Sequence, residues 1–316
     1  MTLLARGIMP RLGIGVALLL EVLLFALLSP HFLTAENLLN VTLQTSITAI
    51  IAAGMTLVIL TGGIDLSVGS LVALVGVVGA LTARATADPG LAIVLALVVG
   101  VAFGAASGAA AGLCIIRFRI TPFIATLALM TIWRGLAFIL TEGRPVWELP
   151  EAFTFLGGGR LAGVPIPTIL MAIVFIFTHL TLTRTRFGRH IYAVGGNVEA
   201  ARLAGIATGR VILAVYVICG MLTALSGILL ASRLSSGQPN AGLMYELDVI
   251  AAVVVGGGSL SGGRGSVAGT FLGSMLIGVL RNGLNLLDVG SYTQQVIVGV
   301  VILLAVVLDQ WRTRPR

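Results

Sequence analysis

The chain has 316 residues, 58% of them hydrophobic and 10% charged, and a mean hydropathy of +1.09, which together exclude a soluble globular domain. Its net charge of +7 comes from arginine alone, because all 19 basic residues are Arg. A chain without lysine has no Walker A loop, whose lysine reaches the β/γ-phosphates, and no lysine Schiff base.

Apolar runs long enough to cross a bilayer as helices recur along the whole length. Ten spans fit, near 12–29, 41–61, 68–83, 91–116, 122–141, 167–183, 210–232, 247–257, 266–286 and 293–309. The expected fold is therefore an all-α polytopic transmembrane bundle, with residues 1–316 as a single membrane domain. The first span follows Arg6 and Arg11, and ALLSPHF is a weak cleavage site, so it reads as an uncleaved span, not a signal peptide. Glu21 lies in its middle, where pairing with a neighbouring helix is the expected role.

The second span stops within VILTGGIDLSVGS, residues 58–70, at Gly62, Gly63 and Asp65, and a new span follows. Carboxylates at membrane depth are costly, and non-helical backbone is tolerated there only within protein or beside a water-filled cavity. This break points to a path for something polar. Two roles stay open for Asp65: capping the helix that starts near Leu66 together with Ser67, or direct contact with a substrate. The pattern recurs 194 positions later, where Gly256, Gly257, Leu260, Ser261 and Gly263 repeat Gly62, Gly63, Leu66, Ser67 and Gly69. Paired glycine-interrupted spans mark transport pathways, although small residues also serve close helix packing. By span count both breaks fall on one side of the membrane, as in a parallel repeat, and an inverted repeat would require one span more or less.

Cys114 and Cys219 sit in apolar spans as small hydrophobes. Arg134, within TIWRGLAF, is expected to order its span or pair with a carboxylate. The long connection 142–166 mixes Trp, Phe, Pro and acids, and reads as a structured outer surface. Arg233, Gln238 and Asn240 lie in a later outer segment as candidate docking or gating groups. Glu246 and Asp248 precede the eighth span, which is too short to cross unaided, and are expected to cap it.

Arginine placement gives the orientation. Arg6, Arg11, Arg117, Arg119, Arg184, Arg186, Arg189, Arg202, Arg210, Arg264, Arg312, Arg314 and Arg316 fall on one side, against Arg84, Arg144, Arg160, Arg233 and Arg281 on the other. The positive-inside rule makes the first side, with both termini, cytoplasmic. The basic excess thus reflects topology, and nucleic acid is not an expected partner. On the cytoplasmic side, GGNVEAARLAGIATGR contains a short capped helix: Asn197 as N-cap, Glu199 and Arg202 matched to the dipole, Gly205 as terminator. A helix of two turns is unstable alone and must dock, either on its own protein or on a separate cytoplasmic subunit.

The stretches TGGIDLSVGS, TRFGRHIYAVGGNVEAARLAGI, SSGQPNAGLMYELDVIAAVVVGGGSLSGGRGSVAGT and NGLNLL resemble permease subunits of ATP-binding-cassette (ABC) importers for monosaccharides of the ribose type. The resemblance spans nearly the whole chain; Gly258 departs from a Thr or Ala found in many relatives. It implies a second permease copy or homologous permease, a cytoplasmic ABC ATPase carrying ATP and Mg, a periplasmic or lipid-anchored sugar-binding protein, and a bacterial cytoplasmic membrane with its lipid as surroundings. It also implies that Asn197, Glu199, Ala200, Ala201, Arg202 and Gly205 form the helix that grips the ATPase. No cofactor or metal is expected on this chain. His31, His179 and His190 are scattered without ligand spacing, no GxSxG occurs, and no carboxylate pair suits acid–base work, so the sequence points away from an enzyme. The competing function is an ion-gradient-driven secondary transporter or facilitator, which explains the breaks but leaves the cytoplasmic helix without a partner.

Overall fold

The structure is a computed structural model that describes residues 3–313; for 3–12, 302, 305, 306 and 308–313 it describes the backbone alone. The orientation assigned to Arg314 and Arg316, and to the side chains of Arg6, Arg11 and Arg312, lies outside the described residues. Helices dominate: α1 (Leu3–Leu28), α2 (Ala35–Leu60), α3 (Val68–Ala85), α4 (Pro89–Arg117), α5 (Pro122–Thr141) and α6 (Glu151–Gly158), then a two-stranded antiparallel ribbon of β1 (Arg160–Leu161) and β2 (Val164–Pro165). There follow α7 (Ile166–Arg184), α8 (Arg186–Gly196), α9 (Val198–Leu203), α10 (Thr208–Arg233), α11 (Tyr245–Val255), α12 (Val267–Leu286) and α13 (Ser291–Thr313).

Each of the ten predicted spans coincides with a helix. Among the described residues seven, α2, α3, α4, α5, α7, α10 and α12, are long and apolar enough to cross a membrane. At 11 residues, α11 rises only ~16 Å, about half the hydrocarbon thickness.

At the centre lies α2, buried at nearly every position from Thr45 to Leu60. A helix apolar all round is stable only when enclosed, and α7, α10, α11 and α12 pack around it. Two polar pairs fix its antiparallel register on α12. Asn37 and Asn282 exchange amide hydrogen bonds of 3.0 and 2.9 Å, and the hydroxyls of Thr56 and Thr270 lie 2.8 Å apart. Buried polar groups satisfied in this reciprocal way specify one register, because any slip leaves donors unpaired.

The tightest interface joins α4 to α10. Gly100, Gly104, Gly108 and Gly112 form a stripe at a spacing of four, so one face of α4 lacks side chains. Backbones approach there: a Cβ at Gly108 would collide with the Tyr216 carbonyl oxygen, and one at Gly220 with that of Gly104. Such contact gives dispersion energy that lipid cannot supply between bulkier helices. Large apolar side chains face outward on α1, α4, α5, α7 and α13, for example Leu27 at 86% and Phe177 at 66% exposure. That outer surface suits hydrocarbon as its solvent.

The 142–166 connection is folded, not free. Ser232 at the end of α10 donates to the Phe153 carbonyl and accepts from the Gly157 N–H, each at 2.6 Å, and Phe153 is fully buried. Val146 pairs with Gly237 through reciprocal backbone bonds of 2.8 and 2.9 Å. The 142–166 connection therefore clamps the end of α10.

Replacing Gly108 by alanine must push α4 off α10, at a cost of about 1–3 kcal/mol. We expect the Gly108→Ala permease to lose at least ~2 °C in unfolding temperature in detergent. Gly135→Ala, at a position with open space around it, should leave that temperature unchanged.

Candidate functional site

The first break begins where α2 ends. Gly62 takes φ +80° and closes a Schellman cap, with Gly63 N–H donating to Val58 and Gly62 N–H to Ile59 at 3.1 and 2.9 Å. The chain then crosses to α3. Tyr216 and Thr126 hydroxyls donate to the Ile64 carbonyl at 3.2 and 3.4 Å, and a Cβ on Gly63 would lie 2.6 Å from the Tyr216 oxygen. Asp65 is 2% exposed, and one of its carboxylate oxygens accepts from the Ser67 N–H at 2.9 Å and the Ser67 hydroxyl at 2.6 Å. Among the described residues it makes no salt bridge. Its carboxylate therefore shapes the turn into α3, whose first residue is Val68, and is enclosed by protein in this conformation.

The second break repeats the first with a shift. Gly257 takes φ +84°, with Gly258 N–H donating to Val253 and Gly257 N–H to Val254, both at 2.8 Å. These bonds align with the first cap at an offset of 195, one more than the sequence alignment, so Gly62 corresponds to Gly257 and Thr61 to Gly256. The turn that follows keeps the offset of 194: Ser261 N–H points to the Ser259 hydroxyl at 3.4 Å, as Ser67 does to Asp65. Five more residues, 262–266, then precede α12, and the last of them, Ser266, caps it by accepting from Gly269 N–H. Gly62 and Gly257 are both exposed and Asp65 and Ser259 both buried, but Ser261 is exposed where Ser67 is buried.

The two breaks touch. Gly263 N–H donates to the Leu60 carbonyl at 2.9 Å. A Cβ on Gly265 would lie 3.1 Å from Gly258 Cα and 3.3 Å from Leu60 Cδ2, so the C-terminal ends of α2 and α11 both lie near this contact. The C-terminal end of α8 is wedged into the same point: a Cβ on Gly195 would collide with the Leu60 carbonyl oxygen and lie 2.6 Å from the Gly263 nitrogen. Tyr192 of α8 also donates to the Gly265 carbonyl at 2.9 Å. Thus three separate glycine segments, at 62–63, 195–196 and 262–263, form one junction.

Directly after Gly196 comes α9. Asn197 accepts from Ala200 N–H at 2.9 Å, Gly205 takes φ +81°, and Ile206 N–H returns to the Ala201 carbonyl at 3.0 Å. Ala201 alone of the six residues is buried. Leu203 is 89% exposed, and Glu199 and Arg202 form a solvent-exposed pair at 3.5 Å, a geometry that contributes little to stability. Beside α9 lies a cleft of about 480 Å³ bordered by Phe187, His190 and Arg210.

The other singled-out charges have different partners from those expected. Asp248 does not cap α11; both its oxygens accept from Arg281 at 2.7 Å, across to α12. Arg134 binds no carboxylate directly and donates to the carbonyls of Pro239 and Ala241 at 2.8 and 2.7 Å, pinning the 238–241 segment to α5. A Glu21 oxygen is buried without a hydrogen-bond partner among the described residues, so the expected pairing is absent. Of Arg233, Gln238 and Asn240, Asn240 is exposed, Gln238 donates to Ser236 at 3.1 Å, and Arg233 lines a polar cavity between α2, α11, α12 and α13.

Sequence reasoning missed Gly195, Tyr216 and Leu203. The Gly195-Gly196 pair was visible, but its partners lie more than 60 residues away in the chain. Leu203 is an apolar residue with nothing over it, a property only the fold reveals.

A family model described as branched-chain amino acid transport system / permease component matches residues 37–306. The chain is 50% identical over 306 residues to the ribose import permease protein RbsC of Bacillus subtilis (strain 168), covering 96% of this chain and 94% of the relative. It is 49% identical over 298 residues to RbsC of Escherichia coli (strain K12), covering 93% and 92%. The L-arabinose transport system permease protein AraH of Escherichia coli (strain K12) is 39% identical over 291 residues, covering 92% and 88%. No solved structure matches.

The two roles of Asp65 are separable by substitution. Asp65→Asn keeps an oxygen for Ser67, whereas Asp65→Leu leaves buried donors unpaired at about 1–3 kcal/mol. Capping predicts an unfolding temperature near wild type for the first and at least ~2 °C lower for the second. Equal loss in both variants would mean that the charge itself is required.

Proposed function

The chain belongs to the family of branched-chain amino acid transport system permease components, and from that premise we propose that it forms the membrane channel of an ABC importer for a ribose-like monosaccharide. It is a multi-pass membrane permease and not an enzyme. The family description names amino acids, but the relatives at 39–50% identity over nearly the full length of both chains are named for ribose and arabinose, which favours a sugar. We assign ten spans, with α1, α11 and α13 joining the seven long helices, and with both termini in the cytoplasm of a bacterial cell. The channel is completed by a second permease, the same chain or a homologue. A binding protein delivers sugar at the outer face, and a cytoplasmic ATPase holds ATP and Mg.

The observation that carries this assignment is the continuity of α9 with both helix breaks. One end of α9 abuts Gly196 and so the glycine junction, while its surface presents Leu203, Val198 and a loose ion pair to solvent. A helix of six residues is far below the length that is stable by itself. An apolar side chain on such a helix is suited to a groove in a partner. Closure of the ATPase would displace α9, and backbone contact at Gly195 would pass that displacement to the ends of α2 and α11. There the two caps, not the rigid helices, absorb the change. An ion-driven transporter would leave α9 with nothing to grip.

Leu203→Glu and Glu199→Arg alter exposed side chains, so both variants should reach the membrane in wild-type amounts. We expect Leu203→Glu to reduce recovery of the ATPase with the tagged permease at least tenfold. Glu199→Arg should lower sugar uptake per ATP hydrolysed in the reconstituted transporter. Wild-type uptake by both variants would contradict the assignment.

A further inference from the structure

At the middle of α2 and at the end of α11 remote from the glycine junction lies a second constellation that the channel reading leaves unused. A cavity of about 210 Å³ opens between α2, α10, α11, α12 and α13. Its walls are mainly polar. Gln44, Thr45 and Thr48 come from α2, Arg233 from α10, the Asp248–Arg281 pair from α11 and α12, and Gln294 from α13.

Two of these groups lack partners. Thr45 is 3% exposed with no hydrogen-bond partner for its hydroxyl, and Arg281 Nε is buried and unpaired, among the described residues. Both oxygens of Asp248 are taken up by Arg281 Nη2, at 2.7 Å, so Nε stays available. Buried donors left unsatisfied are costly, and their natural explanation is a ligand or water that accepts from them. Five helices converge on the cavity, so its polar lining is not the solvated side of one amphipathic helix.

Size and charge narrow the ligand. The volume corresponds to about seven waters at ~30 Å³ each, below the ~300 Å³ at which drug-sized pockets begin. Two guanidinium groups face one carboxylate, and amides and hydroxyls fill the rest. A cation would meet two arginines; Asp248 and Arg281 compensate one another, which leaves Arg233 as the single uncompensated charge and hydroxyls and amides that both donate and accept as the rest of the lining. A neutral polyol, whose every hydroxyl both donates and accepts, satisfies the mixture.

We infer that this cavity is a subsite for a neutral polyhydroxylated ligand of monosaccharide size, held by the permease itself. The inference rests on the reading of the chain as a sugar permease. It adds a site on the same short helix that ends in the second break: Asp248 lies in the first turn of α11 and Gly256 caps its last. Ligand in the cavity and the shape of the break are thus joined by one rod of ~16 Å.

The test uses the full-length permease, purified, with Cys114→Ser and Cys219→Ala removing the native thiols. Thr48→Cys then places one thiol on the cavity wall, with Gln44→Cys at its rim as the alternative if the first variant folds poorly. A cationic methanethiosulfonate should label either position, and D-ribose at high concentration should slow labelling at least fivefold while equimolar sucrose does not. Labelling unaffected by D-ribose, or no labelling at either position, overturns the assignment. The assay needs neither ATP nor the partner proteins. If the complete transporter fails to import sugar with ATP, the functional reading falls while ribose protection can still be measured.

Discussion

The backbone contact among Gly195, Leu60 and Gly263 is the constraint on which the rest of the arrangement depends. The Leu60 carbonyl is the last of α2 and would otherwise be an orphan at a helix end; Gly263 N–H satisfies it from the segment between α11 and α12. Gly195 lies so close to the same oxygen that no side chain fits between them. Three chain segments, each entering from a different part of the sequence, thereby share one point without side-chain padding. A displacement of α8 and α9 has no compliant layer in which to dissipate. Bistable elements connected by packed contacts are the physical means by which distant sites are coupled, and here the two Schellman caps are the elements that such a contact reaches first.

The remaining architecture is stiff where the junction is adjustable. α2 is held on α12 by an asparagine pair near one end and a threonine pair near the other, so the two helices resist sliding. The α4 glycine stripe lets α10 approach to backbone contact, and Ser232 fastens the far end of α10 to the 142–166 connection. Interiors packed to this density transmit strain in preference to absorbing it. Adjustment is left to residues with left-handed backbone, Gly62 and Gly257 among them, and to the four extra residues that lengthen the second break. Gly62 and Gly257 are exposed alike, whereas Ser67 of the first break is buried and its counterpart Ser261 in the second is exposed. The pair is alike in backbone and differs in the turn that follows the cap.

How much of this was legible in the sequence followed the range of the interactions. Asn197 and Ala200 lie within one turn of each other and Gly205 little more than two turns from the start, so the caps of α9 could be read from local spacing and appear in the structure at those residues. The helix ends at Leu60 and Val255 were announced by the glycines that follow. Long-range partners were not legible. Asp248 looked like a cap because its first-turn position suits one, yet Arg281, 33 residues on, takes both oxygens. Arg134 seemed to call for a carboxylate and found two carbonyls more than 100 residues away. Even the repeat misled by one residue. Backbone hydrogen bonds define the cap, and Thr61 performs for the first what Gly256 performs for the second, so letter identity placed the register at 194 where the caps align at 195. The junction itself had no signature beyond an unremarked glycine pair at 195–196.

The most direct test of the central claim is the number of sugars imported per ATP hydrolysed by a Gly195→Ala permease in the complete reconstituted transporter. One added methyl collides with the Leu60 carbonyl and separates α8 from both breaks, while Leu203, Glu199 and Arg202 of α9 keep their exposed positions. Transmission through the junction predicts that the ATPase still binds and hydrolyses ATP, with the ratio of sugar to ATP falling several-fold. A ratio equal to that of the wild type would contradict it, and would mean that movement of α9 reaches the channel by some other route.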